Sequence, residues 1–156
     1  MRSDILKFIL LGLGAVAVQI VLLRHLTIYN AQSDLVLLYV LWICTKKSKT
    51  EVLLLSAFVA ILQDAFTDLW GLHLFTKVFT VFVLHNFLNR TSENQFLIWQ
   101  IFLIVLGASF LHNIIFYIVS SFTGTYASEY VVISLLLVST LFTAVLGSFL
   151  HLVRSR

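Results

Sequence analysis

Four polar residues, Asp64, Asp68, His73 and Lys77, fall within the stretch DAFTDLWGLHLFTK (64–77) of a chain that otherwise carries little charge. The two acids are spaced i,i+4 and share a helix face, and so do the histidine and the lysine. A turn centred near Trp70-Gly71 leaves Asp64 and Lys77 equidistant from it, and likewise Asp68 and His73. In an antiparallel hairpin equidistant residues lie at similar depth. The spacing therefore permits two stacked pairs, Asp64–Lys77 deeper and Asp68–His73 nearer the surface. Such a set can act as a clasp between two helices, or as a polar cleft for a ligand or a partner's helix. Covalent chemistry has less support. No serine has a histidine and an acid nearby in a recognisable pattern, and there is neither a GxSxG motif nor a Gly-rich phosphate loop. The five histidines (25, 73, 85, 112 and 151) show no HxxxH or HExxH spacing. We expect no catalytic residue, no metal and no cofactor.

What surrounds these groups follows from composition. Of the 156 residues 60% are hydrophobic and 11% charged, and the mean hydropathy is +1.03. Soluble domains carry about 25% charged residues, and one this apolar would expose large sticky patches. An integral membrane protein is the class that fits. The net charge of +3 is too small to point to nucleic acid. The basic residues instead sit in short clusters between oily runs, as membrane topology signals do. One cysteine, Cys44, excludes an intrachain disulfide. With no proline in the chain, turns rest on Gly, Asn, Asp and Ser.

Six oily segments stand out: Ile5–Leu23, Ser33–Thr45, Glu51–Leu69, Leu72–Leu88, Gln95–Phe122 and Tyr130–Val153. A hydrocarbon core needs about 20 residues of helix, and in lipid the backbone must satisfy itself, which predicts helices. The second segment is short, its fully apolar run being only Leu35–Cys44. The charges argue that it crosses all the same. Six spans with an inside N-terminus put Arg2, Lys7, Lys46, Lys47, Lys49, Arg90, Arg154 and Arg156 on the inner side and leave Arg24 outside. Ser48-Lys49-Thr50-Glu51 and Ser92-Glu93-Asn94-Gln95 read as capping boxes. Ser33 or Asp34 can cap the second helix, and Ser128 the sixth. Trp42 and Trp99 fall near the inner interface, and Tyr29, Trp70, Tyr126 and Tyr130 near the outer one. The expectation is an all-α integral membrane protein with six transmembrane helices, one helical domain over residues 1–156. In it Asp64 and Lys77 lie roughly 10 Å below the outer turn, where a lone charge costs several kcal/mol. Gln19, Gln63, Gln100, His85 and His112-Asn113 are expected to supply single interhelical hydrogen bonds, and Ala144, Gly147 and Ser148 a small-residue packing face on the last helix.

The layout resembles the MreD family, the small membrane subunit of the bacterial rod-shape machinery. The likeness rests on a short second helix opening Asp34-Leu35-Val36-Leu37-Leu38 and a basic loop. It continues in a third helix ending in an acid (Asp64), then Gly71-Leu72-His73 and a polar-spotted fourth helix with Lys77. Asp68 and Trp70 depart from the family, which commonly has small residues there. The resemblance implies a non-enzymatic scaffold in the bacterial cytoplasmic membrane, both termini cytoplasmic. Its implied partners are an MreC-like protein, MreB filaments and the synthase formed by RodA and a penicillin-binding protein. The family is also similar to the six-helix substrate-binding subunits of energy-coupling-factor vitamin transporters, which implies a second possibility, a small-ligand binding subunit. Asp64, Asp68, His73 and Lys77 are the candidates for partner or ligand binding under either.

Overall fold

A computed structural model describes residues 2–23, 25–27, 31–69, 71–91, 97–124 and 132–155. Every regular element among them is helical. Helix α1 (Arg2–Val18) runs on into a π-helical turn, Gln19–Leu23. Then come α2 (Leu35–Cys44), α3 (Lys49–Thr67), α4 (Leu72–Thr91) and α5 (Ile98–Thr123). A second π-helical stretch, Ser134–Ser139, leads into α6 (Thr140–Ser155).

Four of these stretches are long and apolar enough to cross a membrane: Ile5–Leu23, Lys49–Thr67, Ile98–Phe122 and Ser134–Val153. The other two depart for different reasons. Helix α2 has only 10 residues, about 15 Å of helix. Helix α4 has 20 residues but is polar along one face. Thr76, Lys77, Thr80 and His85 are buried, whereas Phe75, Phe79, Phe82 and Phe87 point outward. It is an amphipathic helix turned inside out, so an average over its length conceals its apolar face. The two threonines satisfy their own hydroxyls by donating back to the Leu72 and Thr76 carbonyls at 2.8 and 2.7 Å.

The core forms around α2. Its sequence, LVLLYVLWIC, is apolar on all sides, which suits a helix surrounded by protein, and eight of its residues are buried. It touches each of the other five helices. Gly147 lets α6 approach: a Cβ there would lie 2.8 Å from Leu38 Cδ2 and 3.1 Å from Val105 Cγ1. With Ala144 fully buried, the small-residue face of α6 is a packing face. The surrounding helices expose Leu54, Phe58, Ile61, Leu103, Phe110 and many like them. This coat of apolar side chains is compatible with a multi-pass membrane protein.

Local signals set the boundaries. Asp34 caps α2, its Oδ1 accepting from the Leu37 N–H at 2.8 Å. Ser48 opens α3, with the Glu51 carboxylate accepting from the Ser48 backbone N–H at 3.1 Å and from its hydroxyl at 2.8 Å. The second capping box (Ser92–Gln95), the Ser128 cap, Arg24 and the outer aromatics Tyr29, Trp70, Tyr126 and Tyr130 lie outside the described residues. Helix α5 starts with Gln100 accepting from the Leu97 N–H at 3.0 Å, so that glutamine serves its own helix end and not a neighbour.

Candidate functional site

Asp64 sits in the last turn of α3 and is buried. Its carboxylate reaches over the hairpin turn to the start of α4. Oδ2 accepts from the Gly71 and Leu74 N–H groups at 3.1 and 2.9 Å, and Oδ1 from that of His73 at 2.9 Å. The first N–H groups of a helix have no partner within it, and a negative charge suits that end of the helix dipole. The acid of one helix thus caps the next. Its carbonyl holds the turn from the other side, accepting from the N–H groups of Asp68 and Leu69. Asp68 ends α3 in the left-handed conformation (φ 59°), and Gly71, at φ 87°, completes the reversal.

Lys77 is fully buried and its ammonium lies 2.6 Å from Asp34 Oδ2. The pair expected between Asp64 and Lys77 is therefore replaced: the lysine arm crosses to α2, while Asp64 turns to the α4 backbone. Equal depth in a hairpin does not fix the direction of a side chain, and α2 offers a carboxylate at the same level. Asp34 ties three helices together, because its own N–H also donates to Thr143 Oγ1 of α6 at 3.0 Å. The second expected pair does not form either. The left-handed turn carries Asp68 off the helical face into an exposed position. His73 points inward instead, with its ring 5.1 Å from that of Phe116 on α5.

Between these helices lies a cavity of about 270 Å³. Among its lining groups, four buried polar atoms have no hydrogen-bond partner among the described residues: Ser33 Oγ, Gln63 Oε1, His73 Nδ1 and His112 Nε2. Buried polar atoms are almost always paired, so four from residues around one cavity mark a polar compartment. Irregular backbone gathers here as well. Both π-helical stretches contribute to the wall, through Gln19 and Ile20 in one and Leu135 and Ser139 in the other. Such segments recur at functional sites, and at membrane depth irregular backbone is tolerated where it lines a cavity.

Gln19 and Asn113 brace this wall, and His85 serves a contact elsewhere. Gln19 clamps the entry to α2, donating to the Ser33 carbonyl at 2.9 Å and accepting from the Leu35 N–H at 2.7 Å. Asn113 Nδ2 donates to the Leu135 carbonyl at 3.0 Å and to Thr140 Oγ1 at 2.9 Å. His85 bonds the Lys47 carbonyl at 3.0 Å and so ties α4 to the loop before α3. Two residues matter more than the sequence reading allowed, Asp34 and His112. Asp34 had a signal: a ten-residue helix ends at depth, so an acid capping it is a buried charge. His112 had none beyond its presence in an apolar run. No family model matches the chain, nor does any curated protein or solved structure.

Proposed function

We propose that the chain is a non-enzymatic membrane scaffold or regulator of the bacterial elongation machinery. In this reading it acts with an MreC-like protein, and with MreB filaments and the RodA–penicillin-binding protein synthase, on peptidoglycan synthesis and cell shape. All six helices cross the cytoplasmic membrane, with both termini on the cytoplasmic side. The phenylalanine face of α4 supports counting it as a span. The burial of eight of the ten residues of α2 among its neighbours supports a short second crossing. One observation carries the scaffold reading. The intramembrane charges are consumed by the protein itself, Asp64 by the start of α4 and Lys77 by Asp34. A closed polar frame leaves the outward apolar helix faces for a partner's helices. Affinity capture from native membranes tests this and should recover the MreC-like protein. Reporter fusions should place Lys47 inside and Gly124 outside; a periplasmic Lys47 would end the six-span arrangement.

The cavity favours a second reading, a substrate-binding subunit of a small-molecule transporter with a fold similar to that of the energy-coupling-factor family. Capture of an ATPase and a transmembrane coupling subunit, without any elongation protein, would replace the first reading with this one.

A further inference from the structure

The polarity of the cavity wall can be read atom by atom. The Leu135 carbonyl can only accept, so the Asn113 group facing it is the amide nitrogen. Asn113 Oδ1 is then the atom 3.2 Å from His112 Nδ1, which makes Nδ1 the protonated ring nitrogen. The other ring nitrogen, Nε2, is left as a lone pair on the cavity wall, in a residue 2% exposed. Gln63, 4% exposed as a residue, has no partner on its amide oxygen and can present that oxygen as an acceptor. Ser33 Oγ and His73 Nδ1 can each accept or donate. The Asp34 carboxylate, still 14% exposed as a side chain, borders the same space. The charges around it are Asp34, part-buried and paired with Lys77, and the buried Asp64, two negative against one positive. The wall is thus rich in acceptors and its surroundings lean negative. An anion would meet lone pairs, whereas an N–H-bearing cation would meet partners.

We infer that this cavity binds an ammonium group, with Gln63 Oε1 and His112 Nε2 accepting its N–H donors beside Asp34. At about 30 Å³ per water-sized group, the space takes roughly nine non-hydrogen atoms. That suits a free small amine or the headgroup of an aminophospholipid. The inference deepens the ligand-binding reading, yet it is tested on the purified protein. Failure to bind therefore leaves partner capture untouched, and failure of partner capture leaves binding untouched.

Ethanolamine and choline are the probes, since they share charge and hydroxyl and differ in N–H donors. The thermal unfolding midpoint of the purified chain should rise with ethanolamine and not with choline. Gln63→Met should weaken the ethanolamine response at least tenfold. The ¹⁵N resonance of His112 Nε2 in wild-type protein gives a readout that does not depend on a variant folding, and it should shift on adding ethanolamine. Nanodiscs distinguish the sources. If phosphatidylethanolamine moves the His112 resonance relative to phosphatidylcholine while free ethanolamine does not, the ligand is the lipid headgroup; if free ethanolamine does, it is a soluble amine. Equal responses to ethanolamine and choline, a response to glycerol alone, or no response to either amine source overturns the assignment.

Discussion

At the scale of single residues, Asp34 and Lys77 form the most consequential contact. A buried charge that loses its partner typically costs about 3–5 kcal/mol, whereas replacing both partners with neutral groups is far milder. Asparagine keeps the capping oxygen at position 34. We expect Lys77→Met alone to lower the folded yield in detergent severely, and Asp34→Asn with Lys77→Met to recover much of it. The same cycle run on Asp64 and Lys77 should show a weaker coupling, because Asp64 spends its carboxylate on backbone N–H groups. Equal coupling in both cycles would mean that the lysine is shared between the two acids.

At the scale of elements, α6 is fitted against α2 and α5 through Gly147. Alanine there brings one methyl against the flexible end of Leu38 and close to Val105, and should cost little if both give way by a few tenths of an ångström. Valine adds two more methyl groups to the same crowded site, and overpacking of this kind costs about 1–3 kcal/mol. The unfolding midpoint should fall in the order glycine, alanine, valine; a valine variant as stable as wild type would show that α6 stands farther off. The positions of the six helices were legible in the sequence, because apolar runs and end-capping residues mark them. The first stretch runs Ile5–Leu23 in both readings, and α3 differs by two residues at each end because Ser48 starts it early and the left-handed Asp68 ends it early. The polar contacts were less legible. Periodicity tells which residues share a face, but not whether a long arm reaches across to a third helix, as Lys77 does. Nor does it reveal that Asp68 will leave the helix in a left-handed turn, a conformation aspartate tolerates better than most residues. Asp64 was found and its partner missed, since an acid near a helix start can serve a backbone as readily as a side chain. The polarity of the cavity wall depends on Asn113 and residues 22 and 27 positions away in sequence, beyond any local pattern.

At the scale of the whole molecule, the burial of α2 by all five of its neighbours bears on biogenesis. In the six-span arrangement proposed above, a ten-residue segment gains too little from lipid to leave the translocation channel early, and its cap, Asp34, lacks its Lys77 counter-ion until α4 has been made. Helix α2 should therefore settle after its neighbours, and the Lys46-Lys47-Ser48-Lys49 loop should wait for it. The sole cysteine reports on this without engineering, since Cys44 is fully buried in α2. It should resist maleimide in the full chain in native membranes and react in a chain ending at Thr67. Equal protection in both would mean that α2 inserts unaided. Late settling makes the first half of this chain a passenger of the second half, so that a lesion in α4 can be lost to quality-control proteases before any partner is met.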